Sequence, residues 1–183
     1  MSEKHYLPDS GYIIVYTCKG KGKTTAAFGL AFRAIGYGWR IYMIQFIKGS
    51  WQYGEIEGVK RLSPNFELNV AGEGFVGILN DKKKRSVHKL AAKEALELSR
   101  KKIISGEYQI VILDEINYAL SLNLIDVDDV LDIIKNKPKH VSIVLTGSEA
   151  DKRIIKIADL VTEMNSVKHP FQKGILSIKG IDF

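Results

Sequence analysis

A loop rich in glycine and lysine is the segment whose residue types most directly suggest chemistry. It reads Thr17-Cys18-Lys19-Gly20-Lys21-Gly22-Lys23-Thr24-Thr25, between an apolar run and a segment of helical composition. Glycines let backbone N–H groups turn inward as a nest for anions, and the N-terminal end of a following helix adds positive charge. In that arrangement Lys23 would reach phosphate oxygens and the Thr24 hydroxyl would bind Mg²⁺. The loop therefore predicts a binding site for nucleotide phosphates.

The loop departs from the strict phosphate-loop pattern G-x-x-x-x-G-K-[ST], because Thr17 stands where that pattern has its first glycine. Gly-Lys-Thr alone is common by chance, so the alternative is a lysine-rich turn that caps a helix. The flanking sequence favours the phosphate loop. Residues 12–16 are a short β-rich run, and residues 24–35 have helical composition and end before Gly36.

A pair of carboxylates is the second candidate for chemistry. Residues 110–113 are apolar, and Asp114 and Glu115 follow them directly. In phosphate-loop proteins the acid that ends such a strand holds Mg²⁺, directly or through water. The next residue is often a glutamate that polarises an attacking water. Alone, the two acids could cap a helix; together with the lysine-rich loop they predict a Mg²⁺–nucleotide site for ATP or GTP.

The elements that must position these loops alternate along the chain. Strands are expected at residues 12–16, 40–47, 66–70, 108–113, 141–145, 160–163 and 175–178, and helices at 24–35, 81–104, 127–135 and 152–158. Near-continuous apolar strands separated by amphipathic helices are typical of a mostly parallel sheet with helices on both faces. Right-handed crossovers place the strand-to-helix loops at one sheet edge, where α/β proteins bind ligands. The sequence therefore predicts an α/β fold whose two candidate loops meet.

Composition limits the class of protein. The 183 residues, 45% hydrophobic and 26% charged, predict one folded domain over residues 1–183, with residues 1–10 expected to be flexible. Apolar runs fall far short of the about 18 residues of a membrane span, and no secretion signal is recognised. A single cysteine fits a reducing cytoplasm. The net charge of +6 favours an anionic partner but does not choose among nucleotide, nucleic acid and membrane surface.

Six ordered blocks of sequence resemble a known family, the bacterial ATP:corrinoid adenosyltransferases of cobalamin biosynthesis and salvage. The blocks are YTCKGKGKTTAAFGLAFR at 16–33, QFIKG at 45–49, GEGF at 72–75, LDEINYAL at 113–120, Thr146-Gly147, and a tail with ADLVTEM, VKHPF and KGIDF. The resemblance spans roughly residues 12–183. It implies a RecA-like phosphate-loop fold and a transferase.

The reaction implied by the resemblance moves the 5′-deoxyadenosyl group of ATP to cobalt(I) of a reduced corrinoid and releases triphosphate. Cobalt(I) is itself the nucleophile, so the task is to align it with C5′ and to neutralise the leaving group. The resemblance also suggests a homodimer. A flavodoxin-like or flavin reductase is a candidate electron donor, and no nucleic-acid or membrane partner is expected.

Site residues carry over from the resemblance as expectations. Lys23, Thr24, Glu115 and Phe75 are the predicted catalytic residues, and Gly74 lies with Phe75 at the corrinoid. Phe75 would lie over the lower face of the corrinoid and help displace its axial ligand. The ATP-binding set is Cys18, Lys19, Gly20, Lys21, Gly22, Lys23, Thr24, Thr25 and Arg33, and the Mg²⁺ set is Thr24, Asp114 and Glu115.

Three departures from the family pattern bear on turnover and corrinoid preference. Cys18 replaces a usual glycine, Gly77 stands where tryptophan is common, and Ser148 stands where arginine or asparagine is common. His169 could be a cobalt ligand, but the mechanism needs the lower ligand removed, so a structural turn is favoured.

Two other functions remain open from sequence. A phosphate-loop hydrolase or kinase would use Glu115 to position water or a substrate hydroxyl, and would release ADP without a corrinoid. A RecA-like nucleic-acid protein would need a basic loop rich in aromatic residues, and the aromatic residues near Trp51 and Tyr53 are few. The basic run at residues 82–85 is either a solvated face or a docking site for an acidic reductase.

Overall fold

The structure is a computed structural model that describes residues 10–49, 53–74, 76, 81 and 83–182. The strands are β1 Ile13–Thr17, β2 Ile41–Gln45, β3 Phe66–Val70, β4 Ile110–Asp114, β5 Ser142–Thr146 and β6 Leu160–Glu163. The helices are α1 Lys23–Ile35, α2 Gly54–Lys60, α3 Arg85–Ile104, α4 Ile116–Ser121, α5 Val127–Lys135 and α6 Lys152–Ile157, followed by a 3₁₀ turn at Pro170–Lys173.

The strands form one sheet in the order β3-β2-β4-β5-β1-β6, and each neighbouring pair is parallel. Tyr16 near the end of β1 pairs with Thr146 of β5, and Gln45 of β2 pairs with Asp114 of β4. The loops that follow these strands therefore meet at one edge of the sheet. The predicted α/β class with a parallel sheet is confirmed.

Alternating side chains of the strands feed two separate cores, one on each face of the sheet. On one face Ile41, Met43, Ile112 and Val144 pack with α1 and α2. On the other face the intervening residues pack with helices α3 to α6; they include Tyr42, Ile44, Val111, Leu113, Ile143 and Leu145. Burial on both faces explains why the central strands read as continuous apolar runs.

The C-terminal prediction was wrong at residues 175–178, which are not a strand in the structure. These β-prone residues lie exposed, in a segment beyond the edge strand β6. β6 itself pairs with β1 and has all four residues exposed. A run of apolar residues without a neighbouring strand cannot satisfy its backbone groups in a ladder, so β-propensity alone is insufficient there.

The other predicted elements are present, with shifted ends. The long helix begins at Arg85 rather than at residue 81, and α2 and α4 were not predicted because both are short. Residues 1–9, the greater part of the segment expected to be flexible, lie outside the described residues. Across the part of the chain that the structure describes, no helix is long and apolar enough to span a membrane.

Candidate functional site

The loop between β1 and α1 uses backbone conformations that favour glycine. Gly22 has φ 115° and Cys18 has φ 78°, both in the left-handed region. Glycine adopts this left-handed conformation most readily, and at residue 18 a cysteine adopts it instead. The Lys23 ammonium donates to the carbonyls of Cys18 at 2.9 Å and Gly20 at 2.8 Å. Lys23 therefore lies across the loop that it follows.

Gly20 anchors this loop to the chain that follows β6. Its N–H donates to the carbonyl of Met164 at 2.6 Å, and a Cβ on Gly20 would lie only 2.3 Å from that oxygen. No side chain fits there without moving the backbone. The amide of Gly20 is thus engaged by residue 164 rather than turned into the expected anion nest.

Asp114 is the centre of a buried set of polar contacts, here called the Asp114 network. The carboxylate has no solvent exposure. Its Oδ1 accepts hydrogen bonds from the hydroxyls of Thr24 at 2.8 Å and Thr146 at 2.7 Å, and its Oδ2 accepts from the Gln45 amide at 3.1 Å. Asp114, Thr24, Thr146 and Gln45 come from four different elements. Their network ties the phosphate loop to the ends of β2, β4 and β5.

Glu115 follows this network with a left-handed backbone, at φ 63°. Its N–H donates to Thr146 Oγ1 at 3.0 Å, so one hydroxyl holds both acidic residues in place. Burial, together with the negative charge of Asp114, raises the pKa of Glu115 to about 7, while Lys23 and Lys48 act in the opposite direction. Glu115 therefore changes its protonation state near neutral pH, where its charge would respond to a bound cation.

Gly147 makes room for this pair of acids. It has φ 123°, and a Cβ there would lie 2.8 Å from the Tyr118 nitrogen and 3.2 Å from Glu115 Oε2. The turn after β5 therefore passes directly against the start of α4, and only glycine can occupy it without strain.

A cavity of about 590 Å³ opens above these groups. Its lining residues come from the phosphate loop and α1, the loop after β2, the start of α2, Glu115 and the C-terminal tail. They are Lys21, Gly22, Lys23, Thr24, Thr25, Phe28, Lys48, Gly54, Glu55, Glu115, Gly180, Ile181 and Asp182. A volume of this size is ample for one nucleotide-sized ligand.

The chain is similar to known proteins over nearly its whole length. Residues 9–183 match the model of the family described as ATP:corrinoid adenosyltransferase BtuR/CobO/CobP. The chain is 41% identical over 177 residues to a corrinoid adenosyltransferase of Sinorhizobium sp, covering 96% of this chain and 81% of that protein. It is 34% identical over 176 residues to the corrinoid adenosyltransferase of Escherichia coli K12, covering 96% and 87%.

The chain belongs to this adenosyltransferase family. The predicted family and the predicted transferase class are therefore confirmed, and they are favoured over a phosphate-loop hydrolase or kinase. The structure is also similar to the crystal structure of flagellar accessory protein FlaH from Methanocaldococcus jannaschii, with a TM-score of 0.52 and 16% identity. That match covers 85% of this chain and 70% of that one, and it concerns the fold alone.

In this adenosyltransferase the structure brings most of the predicted ATP and Mg²⁺ residues together. Lys21 to Thr25 and Glu115 line the cavity, and Asp114 lies directly beneath Thr24. Cys18 and Gly20 reach the site through their carbonyls, which accept from Lys23. Lys19 is exposed and is not among the cavity-lining residues.

Arg33 and Gly74 are not among the residues that line the cavity. Arg33 is exposed in the last turn of α1, outside the cavity lining, and its role at the nucleotide remains a prediction. Gly74 packs against the loop after β2, where a Cβ on Gly49 would lie 2.8 Å from Gly74 Cα. Phe75 and Gly77, the positions predicted to face the corrinoid, lie outside the described residues.

His169 caps the 3₁₀ turn, where its Nδ1 accepts from the Phe171 N–H at 3.2 Å, as expected for a structural turn.

Four residues of the site were missed from sequence: Gln45, Lys48, Thr146 and Asp182. Gln45 and Lys48 lie in the QFIKG block and Thr146 in the Thr-Gly block, so a signal was present. Asp182 contacts the Lys21 ammonium, which also donates to the Ile181 carbonyl at 2.9 Å. Residues more than 150 positions apart in sequence carry no local pattern that could reveal this ion pair.

Proposed function

We propose that this protein transfers the 5′-deoxyadenosyl group of ATP to the cobalt(I) ion of a reduced corrinoid. The observation that carries the proposal is the cavity in which Lys23, Thr24 and Glu115 converge above Asp114. Family membership supplies the substrate class, and the cavity supplies groups suited to a polyphosphate. In the transfer a Co–C5′ bond forms, the C5′–O bond breaks, and triphosphate leaves with the electron pair.

The side chains act here by position and charge. Cobalt(I) is the nucleophile, so no serine, cysteine or general base has to be activated. The Lys23 ammonium already lies across the loop, where phosphate oxygens would compete with the carbonyls of Cys18 and Gly20 for its donors. A fixed cation at the place where negative charge develops lowers the barrier without reorganisation. Lys23 is therefore the expected main protein contact to the leaving group.

The proposal includes Mg²⁺ bound by Thr24, Asp114 and Glu115. Mg²⁺ prefers oxygen ligands, and it commonly takes one or two carboxylates together with substrate phosphates and water. The site fits this pattern: two carboxylates and a hydroxyl lie together, and the buried Gln45 Oε1 beside them has no hydrogen-bond partner among the described residues. Within the same residues no larger cluster of metal-binding side chains is present. Bound Mg²⁺ would supply positive charge to the phosphates.

Glu115 would respond to that cation. With a pKa raised to about 7, it is partly protonated at neutral pH in the protein alone. A cation beside it favours the carboxylate, so binding would release its proton. The charge of Glu115, and with it the net charge of the site, would therefore change when the cation binds.

The corrinoid would bind beside Gly74 and Phe75, with Phe75 displacing the lower axial ligand. Support comes from Gly74, which packs against Gly49 in the loop that also carries the cavity-lining Lys48. The proposal also assigns the basic run at residues 82–85, which includes Lys84 and Arg85 at the start of α3, to the docking of a flavodoxin-like or flavin reductase. Opposite charge is what such a docking would use.

A homodimer in the cytoplasm completes the proposal. Several large apolar side chains of the C-terminal segment, residues 165–182, are exposed, including Val167, Leu176 and Ile181. Apolar surface of this kind is common at subunit contacts. Cys18 is the single cysteine of the sequence, a composition that suits a reducing compartment.

Anaerobic assays with ATP, MgCl₂ and chemically reduced cobalamin test the proposal. Formation of the cobalt–carbon bond should appear as a light-sensitive adenosylcobalamin spectrum that depends on the protein. Parallel reactions with cobinamide would rank the acceptors. ATP consumption that is unaffected by any reduced corrinoid, with no cobalt–carbon bond formed, would favour the hydrolase instead.

A further inference from the structure

Lys48 brings a second ammonium group into the cavity from the loop after β2. Its Nζ lies 2.6 Å from Glu55 Oε1, 3.9 Å from Asp114 Oδ2 and 4.7 Å from the centre of the Tyr53 ring. The Lys48 side chain is only 15% exposed and that of Glu55 only 19%. This cation is thus largely withdrawn from water, beside the Asp114 network, and it still borders the cavity.

The contacts of Lys48 leave it donors for a further anion. An ammonium has three N–H donors. Among the described residues, Glu55 accepts at hydrogen-bond distance, whereas 3.9 Å to Asp114 is too long for a hydrogen bond. Lys48 also opposes the rise in the pKa of Glu115, so its charge acts at the acidic pair. A polyphosphate in this cavity would lie within reach of both Lys23 and Lys48.

We propose that Lys48 binds the triphosphate moiety of ATP and of the leaving group, and that Glu55 holds the ammonium at the cavity wall before the anion arrives. The inference rests on the proposed function. A polyphosphate carries several negative charges against the single charge of Glu55, so it competes well for the remaining donors. Such charge-assisted hydrogen bonds are the strong ones in proteins, and they strengthen as the leaving group gains charge.

The second half of α2 offers a matched comparison. Glu57 and Lys60 form an ion pair with the same nitrogen–oxygen distance of 2.6 Å, but their side chains are 70% and 66% exposed. This pair does not line the cavity. It controls for the loss of one charge, and of one ion pair, on the same helix.

The test is isothermal titration of inorganic tripolyphosphate into the wild-type protein and into Lys48→Met, Glu55→Gln, Lys60→Met and Glu57→Gln. Lys48→Met should weaken binding by about tenfold to a hundredfold, since one charged hydrogen bond is lost. Glu55→Gln should bind as tightly as the wild type or several-fold more tightly, because it frees the ammonium. The two variants on the exposed pair should bind within twofold of the wild type.

Weaker binding in Lys48→Met without weaker binding in Glu55→Gln would show that Lys48 contacts the phosphates. A similar loss in both variants would show that the ion pair only stabilises the local structure. If Glu55→Gln also weakens binding more than threefold, the pair acts as a unit and the inference is wrong. It is equally wrong if Lys48→Met binds tripolyphosphate like the wild type. Lys48→Arg keeps the charge and should retain most of the binding, which covers a poorly folded Lys48→Met. If the wild type itself does not bind tripolyphosphate, the inference is wrong, whereas the proposed function is judged separately by formation of the cobalt–carbon bond.

Discussion

The floor and one wall of the cavity are built in different ways. The floor is the Asp114 network, in which side chains from β2, β4, β5 and α1 meet through hydrogen bonds of 2.7 to 3.1 Å. The wall is the end of the C-terminal segment, where exposed Asp182 contacts Lys21 and accepts from the Ile178 N–H at 2.8 Å. The floor is fixed by the sheet, whereas the wall rests on contacts that water and ligands can replace.

This difference indicates which parts of the site have a fixed structure before a ligand binds. Buried hydrogen bonds are costly to leave unsatisfied, so Asp114 and its partners hold one arrangement. Exposed ion pairs contribute little to stability and are screened by salt. We therefore expect substitutions in the floor to have large effects and substitutions in the wall to have small ones.

The largest effect is expected for Lys23→Ala, directly above the floor. Loss of a fixed cation at the leaving group typically costs about 3 kcal/mol, or about a hundredfold in rate. The rate of adenosylcobalamin formation measures this, with circular dichroism as the control for folding. A well-folded Lys23→Ala protein with nearly normal turnover would place the phosphates elsewhere.

The stability of the protein without Mg²⁺ should fall as pH rises from about 4.5 to about 7. Glu115 stays protonated in the folded chain up to about pH 7 but ionises near its ordinary value of 4.5 in the unfolded chain. Ionisation therefore favours unfolding across this interval, by at most about 3 kcal/mol. Urea unfolding in EDTA at several pH values measures the slope.

Glu115→Gln is the control for this pH effect, and it should remove most of the slope. The carboxylates with lowered pKa values, Glu67, Glu73 and Asp182, act below about pH 4.5 and with the opposite sign. An unchanged slope in Glu115→Gln would mean that another buried group is responsible.

Thr146→Val, a substitution in the floor, should lower the free energy of unfolding by about 2 kcal/mol. Valine has a similar shape, but it leaves Asp114 Oδ1 without one donor and the Glu115 N–H without its acceptor. Thr146→Ser keeps the hydroxyl and should lose much less. Free energies of urea unfolding compare the two variants. Equal losses in both would show that the methyl group matters as much as the hydroxyl, and a negligible loss in Thr146→Val would show that the hydroxyl contributes nothing there.

Asp182→Asn should have the smallest effect, with no measurable change in the midpoint of unfolding. The ion pair with Lys21 is exposed, and the asparagine carbonyl can still accept from the Ile178 N–H. Thermal unfolding of Asp182→Asn beside the wild type tests this. A clear loss of stability would mean that the wall is as firmly built as the floor, and the comparison would fail.

Features that depend on local sequence patterns could be predicted from the sequence, whereas features that depend on distant partners could not. The parallel sheet and the meeting of the phosphate loop with the Asp114–Glu115 pair could be predicted, because buried strands and a glycine-rich loop leave strong local patterns. Thr146 and Gln45 were not assigned roles, since their partners lie on other strands. The absence of a strand at residues 175–178 depends on whether a neighbouring strand exists, which no local pattern records.

The identity of the phosphate product tests the proposed function most directly. Adenosyl transfer requires that the cavity stabilise a leaving triphosphate and that no water be activated. Phosphorus-31 NMR of an anaerobic reaction with ATP, MgCl₂ and cobalt(I)alamin should show inorganic triphosphate, formed in equal amount to adenosylcobalamin and absent without the corrinoid. ADP and orthophosphate produced without the corrinoid would contradict it.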